Sequence, residues 1–110
     1  MKIKLKNSVI EADLADAFWK RMIGLSLSKK KNMLFIMDYE SRWNFWMFLV
    51  SYPIKMIFID ENRTVVDVKE AEPLSLNPKT WRTYLSKKAC KYVLETPFDL
   101  KINVGDKINW

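Results

Sequence analysis

Few side chains in this sequence could carry out chemistry. It has no histidine, which removes the commonest general base and the commonest metal ligand near neutral pH. Its one cysteine, Cys90, excludes an intramolecular disulfide and every multi-cysteine metal site. The context Ala89-Cys90-Lys91-Tyr92-Val93-Leu94 reads as the start of a strand and predicts a buried, inert thiol, with only Lys88 and Lys91 nearby to lower its pKa. Asp60 and Glu95 could act as a carboxylate pair in acid–base or sugar chemistry if folding brought them close together. The structural alternative is a strand-end turn former for Asp60 and an ion-pair partner for Glu95, Arg21 being the candidate cation. Asp67, Glu70 and Glu72 come nearest to a carboxylate cation site, but solvation of a hairpin accounts for them better. With two glycines, neither in a phosphate-loop pattern, and no histidine to activate a serine or threonine, phosphate cradles and activated hydroxyls also drop out. No catalytic residue, metal site or cofactor is therefore expected, and the chain does not read as an enzyme.

Binding chemistry is better represented. Lys29, Lys30 and Lys31 form one basic cluster and Lys87, Lys88 and Lys91 another. Converging on one face beside an exposed tryptophan, they could hold single-stranded nucleic acid by neutralising phosphates while bases stack. A solvated loop is the simpler reading of a lysine triplet, and a net charge of +6 lies within the range that solubility alone requires. Five tryptophans are many for 110 residues. Trp46 lies in an apolar run and is expected in the core, and Trp19 shares a helical stripe. Trp43, Trp81 and Trp110 fall at element edges or in a long connection, where they pin that connection or stay exposed. The leading expectation is a non-catalytic binding module whose aromatic-rimmed end, near Trp43, Trp81 and Arg21, takes a small molecule or a protein partner. Asp60 and Glu95 are further ligand-binding candidates.

The elements that must position these groups are built around Arg42–Asp60, the densest run of large apolar side chains. A spanning helix needs about 20 predominantly apolar residues. Asn44, Ser51, Pro53 and Lys55 interrupt this run, so no membrane span is expected, and Pro53 also breaks any single helix. Aromatic and β-branched residues on both sides of Pro53 predict strands at 44–50 and 54–60, apolar on both faces and hence buried on both sides. The length suits one domain. The N-terminal Met1-Lys2-Ile3-Lys4-Leu5-Lys6 lacks the apolar stretch of a signal peptide, so cytoplasmic residence is expected. The Lys- and Ile-rich composition without glutamine leans toward a heat-adapted source.

Along the chain, lysines alternating with Ile3 and Leu5 predict a half-buried first strand, followed by a short strand at 9–13. Asp16 can cap a helix over about 16–24, with Phe18, Met22 and Leu25 on one stripe and Gly24 at its end. Strands are expected at 33–37, 64–70 and 91–96, with a turn at Glu61-Asn62 where Asn62 tolerates positive φ. Residues 72–86 read as a long connection pinned by Trp81 and Tyr84, and residues 102–110 as a closing strand interrupted at Gly105-Asp106. The sum is a mainly β fold of roughly seven to nine short strands with one short helix near 16–24, arranged as a small sandwich or partly open barrel.

Arg21-Met22-Ile23-Gly24-Leu25, Met33-Leu34-Phe35, Phe45-Trp46-Met47, the block from Pro53 to Asp60, Tyr92-Val93-Leu94-Glu95 and Gly105-Asp106 occur in an order and spacing that resembles the domain family of unknown function numbered 192. The resemblance covers about Glu11 to Ile108. It implies a mostly β, jelly-roll-like sandwich with a short helix after the first strands, and it implies no activity. Arg21, Trp46, Asp60, Glu95 and Asp106 match the family pattern. Phe48-Leu49-Val50 stand where the family usually continues with a polar run, and Lys55 stands where it usually has an acidic residue.

Overall fold

The computed structural model describes residues 1–15, 32–46, 53–71 and 83–110. Alternation of charged and apolar residues sets its first strands. β1 (Lys2–Lys4) buries Ile3 between two exposed lysines and pairs antiparallel with β2 (Val9–Ala15), placing Ile3 opposite Ile10. There follow β3 (Asn32–Ser41), β4 (Asn44–Trp46), β5 (Ile54–Ile59), β6 (Val65–Ala71), β7 (Thr83–Leu85) and β8 (Cys90–Thr96). Six of these form one open sheet in the order β1-β2-β3-β8-β5-β6, and β4 and β7 form a separate two-stranded ribbon. The β2–β3 pair is parallel, and the other strand pairs are antiparallel.

The central strand explains why the apolar runs show little alternation. β8 lies between β3 and β5, and it is covered on both sides. On one face Leu94 lies in register with Leu34 and Ile57, within a cluster that also holds Ile3, Ile59, Val65, Ile102 and Ile108. On the other face Val93 lies in register with Phe35 and Phe58, joined by Met33, Met37, Ile54, Met56 and Cys90. Each fully buried aliphatic or aromatic side chain contributes about 1.5–3 kcal/mol from leaving water, so these two clusters carry the fold.

The C-terminal segment covers the first face and ties the sheet's edges together. Asn109 forms a bridge with Lys4 of β1, and Lys107 forms one with Thr64 just ahead of β6. Gly105 turns this segment at φ 95, a conformation that L side chains rarely adopt. Between β5 and β6, Asp60 Oδ1 accepts the Asn62 and Thr64 amides at 3.0 and 2.9 Å. Arg63, at φ 64, takes the left-handed conformation expected of Asn62. That cost is offset where its guanidinium lies 4.1 Å over the Trp110 ring and donates to the Trp110 carbonyl at 2.8 Å.

Several expectations change. The strands expected at 44–50 and 54–60 do not share one sheet: β4 pairs with β7 in the ribbon while β5 joins the main sheet. β7 lies in a stretch read from sequence as connection, since a three-residue strand is too short to show a period. β3 continues past the 33–37 expected from sequence, through 38–41, where a register shift between Ile36 and Ser41 lets polar residues extend the strand. Asp67 is 5% exposed rather than solvated on a hairpin. The strands within 44–46 and 54–71 are thus shown, as is the mainly β character, in one open sheet and a two-stranded ribbon, whereas the helix near 16–24 lies outside the described residues. Among the described residues no helix is long and apolar enough to cross a membrane.

Candidate binding site at the Tyr39–Trp43 end of the sheet

β3 runs out at Ser41, opposite Cys90, and the chain then turns toward β4. Trp43 sits in that turn. Its Nε1 donates to the Tyr39 carbonyl at 3.0 Å, and its ring lies 4.9 Å from the Tyr39 ring at a tilt of 48°. The indole is half-buried against the Met33–Phe35–Val93 cluster, whereas Tyr39 is 62% exposed. The Trp43 backbone lies near the Cys90 thiol, and Arg42 Nε donates to the Ser86 carbonyl at 2.9 Å. An aromatic pair held at several points loses little entropy when it receives a ligand.

Acidic residues gather at the same end of the sheet. Glu40 Oε2 accepts the Glu61 amide at 2.9 Å, which draws the Asp60 turn to this end of the sheet. Both carboxylates keep lone pairs free for hydroxyl or amine donors. Trp43 and Asp60, singled out from sequence, are therefore brought to the same end. Arg21 and Trp81 lie outside the described residues. Tyr39 and Glu40 were missed. The signal available was an aromatic four residues ahead of Trp43, hidden because the strand expected at 33–37 stops short of it.

Glu95 lies elsewhere. It is opposite Met33 on one side and Met56 on the other, and it is 6% exposed. The four residues from Met56 to Asp60, at about 3.3 Å each, put Asp60 roughly 13 Å further along the sheet. A two-carboxylate glycosidase needs its pair within about 5–9.5 Å, so the fold does not assemble that centre from Asp60 and Glu95. Burial between two methionines pushes the Glu95 carboxyl up to about 8, so at neutral pH it is mostly the neutral acid. No ion pair or side-chain hydrogen bond to Glu95 is seen among the described residues. The row through it reads Asp13, Met33, Glu95, Met56, Lys69. Lys69 instead reaches Asp67 Oδ2 at 3.7 Å, where that oxygen also accepts the Lys87 amide at 3.0 Å.

Cys90 is buried, and burial, the largest influence, pushes its thiol up to about 11; the Trp43 hydrogen bond opposes this weakly and Glu40 adds to it. Such a thiol is not a nucleophile at neutral pH. Lys87 and Lys88 are exposed in the turn before β8, and Lys91 is half-buried with Nζ 6.0 Å from the Tyr92 ring. Lys29, Lys30 and Lys31 lie outside the described residues. Among the described residues no group of three or more metal-ligating side chains gathers.

The family model of DUF192 (Uncharacterized ACR, COG1430) matches residues 1–110. A UPF0127 protein of Pyrococcus abyssi is 38% identical, with 91% of this chain and 86% of that protein covered. A UPF0127 protein of Thermococcus sibiricus is 39% identical over 88% of this chain, but the match spans only 64% of that longer protein. These relatives come from thermophilic archaea. Among solved structures, a protein of unknown function from Novosphingobium aromaticivorans superposes with TM-score 0.83 at 21% identity, covering 99% of this chain and 84% of that one. One titled a putative transcription regulator, from Sinorhizobium meliloti, also gives 0.83 at 20% identity, covering 98% and 91%. At such identities the likeness is one of fold alone. Matched along its whole length and joined by relatives of this similarity, the chain belongs to the DUF192 family.

Proposed function

We propose that this protein is a non-catalytic binding module whose Tyr39–Trp43 end receives a small ligand presenting a flat apolar face with hydroxyl or amine donors at its edge. The observation that carries the reading is the aromatic pair itself: an exposed tyrosine braced against a tryptophan whose indole donates to the Tyr39 carbonyl and packs on the core. Aromatic rings bind the flat faces of sugars and similar molecules, while Glu40 and Asp60 supply acceptors beside them. A protein partner using the same anchors is the other form of this reading. The candidate catalytic groups do not support an enzyme: Asp60 and Glu95 are far apart, and the Cys90 thiol is buried.

The test is intrinsic tryptophan fluorescence of the wild type and of Tyr39→Ala, titrated with a panel of mono- and disaccharides and with nucleosides. Binding to at least one class should quench or shift the Trp43 emission and weaken about tenfold or more in Tyr39→Ala, the loss expected for one removed aromatic contact. A panel without response, together with no co-purifying protein, removes the support for this reading.

Exposed Lys87 and Lys88 motivate a second reading, weak association with single-stranded nucleic acid. Its signature is oligonucleotide affinity that falls steeply with salt and drops in Lys87→Glu/Lys88→Glu. Salt-independent or absent binding at low ionic strength rejects it.

A further inference from the structure

Asp67 is a buried carboxylate in a strand whose other buried residues are Val65 and Ala71. That strand, β6, is the outermost of the main sheet and pairs, among the described strands, with β5 alone. An edge strand presents a row of amides and carbonyls that can template pairing with another chain. The C-terminal segment closes the start of this row. The Val65 amide donates to the Asp106 carbonyl at 2.9 Å, and the Val65 carbonyl accepts the Gly105 amide at 2.8 Å.

Beyond Val65 the register fixes which backbone groups face outward. Val65 is opposite Ile59 but bonds away from it, and Asp67 is opposite Phe58, so Val66 is the extra residue of a bulge. The bulge shifts the alternation by one residue, which turns Asp67 and Lys69 toward β5 and leaves Val68 and Glu70 facing outward. The outward Val68 amide is capped from within its own strand, where Asp67 Oδ1 accepts it at 2.9 Å. Asp67 Oδ2 accepts the Lys87 amide at 3.0 Å and lies 3.7 Å from Lys69 Nζ, so the carboxylate is held in this position from two further sides. The outward amide of Glu70 has no partner among the described residues.

From this arrangement we infer that Asp67 guards the edge of β6 and keeps it from pairing with β6 of a second copy of this chain. The edge is self-complementary. Two antiparallel copies set Val68 opposite Glu70 of the second copy and Glu70 opposite its Val68, a reciprocal contact of the kind a two-fold dimer requires. Each half of that ladder needs a Val68 amide, and the carboxylate already bonded to it both occupies the amide and repels the incoming carbonyl. Lys69 is a second obstacle, because this register sets it opposite Lys69 of the second copy, and like charges directly opposite destabilise a ladder. The inference is independent of the function proposed above for the Tyr39–Trp43 end.

Sedimentation equilibrium over a wide range of protein concentration tests the assignment. Wild type and Lys69→Thr, which both keep Asp67, should stay monomeric. Asp67→Ala/Lys69→Thr should associate reversibly, its apparent mass rising toward about twice that of the monomer. Adding Glu70→Pro removes an outward amide that an edge strand can spare, and it should return the monomer. A dimeric wild type, a monomeric Asp67→Ala/Lys69→Thr, or association that persists with Glu70→Pro would each overturn the inference. The last result separates a guarded edge from a merely loosened turn at Lys87. If the Asp67 variant does not fold, native hydrogen exchange of the wild type decides. The Val68 amide should then exchange roughly tenfold or more slowly than that of Glu70, the protection given by one charge-assisted hydrogen bond, and equal exchange would reject the cap.

Discussion

Glu95 and Cys90 show what burial does to single residues in this fold. An exposed glutamate titrates near 4.5, and Glu95 between Met33 and Met56 is raised to about 8. Between these values the folded protein holds a proton that the unfolded chain has released. Stability from the neutral acid is therefore complete below about pH 4.5, declines as pH rises, and is gone above about 8. Glu95→Gln mimics the neutral form and should flatten this component. In thermal melts from pH 5 to pH 9 (about the window set by these values), the wild type should lose midpoint relative to Glu95→Gln as pH rises. A constant difference would mean that Glu95 is paired or hydrated in the native state. Cys90 yields a kinetic prediction. Its buried thiol should react with an aromatic disulfide reagent orders of magnitude more slowly in native protein than in denaturant at the same pH, and fast native labelling would contradict the packing beneath Trp43.

Among the elements, the C-terminal segment does more than its short bridges suggest. Lys107 and Asn109 each make one bridge, to Thr64 and Lys4, but between them Ile108 is buried in the cluster with Ile3, Leu34 and Leu94. Ile108→Ala should destabilise by about 2–5 kcal/mol, the usual cost of truncating a buried Ile, through lost transfer energy and the cavity left behind. Urea unfolding would show this as a lower midpoint with an unchanged slope. A change under about 1 kcal/mol would mean that the site collapses freely or that the segment is loosely held. The Asp60 turn is an element of similar economy: one carboxylate oxygen orders two amides, while Arg63 takes the strained φ and is held by Trp110.

For the whole molecule, the two apolar clusters share β3, β5 and β8, so neither has strands of its own to unfold around. Trp43 reports on one cluster and Trp110 on the other. Equilibrium unfolding followed by fluorescence of Trp43→Phe and of Trp110→Phe, and by far-ultraviolet circular dichroism, should give coincident transitions. Separate midpoints would show that one face opens before the other. The Tyr39–Trp43 end belongs to this single cooperative unit, so ligand bound there should raise the same transition by mass action.

Sequence by itself determined the mainly β character, the hairpin from 54 to 70, the inert cysteine and the family. These follow from local signals: β-branched and aromatic runs, turn residues, missing residue types and ordered blocks of identity. It also marked Trp43 and Asp60, because an aromatic at a strand edge and an acid at a turn are visible without partners. Tertiary structure alone decided that β4 leaves the main sheet, that Asp60 and Glu95 lie far apart, that Tyr39 joins Trp43, and that Asp67 caps an amide on an outermost strand. Each of these depends on which strands become neighbours and in what register, and pairing over tens of residues is set by the total burial of both sheet faces rather than by any local pattern.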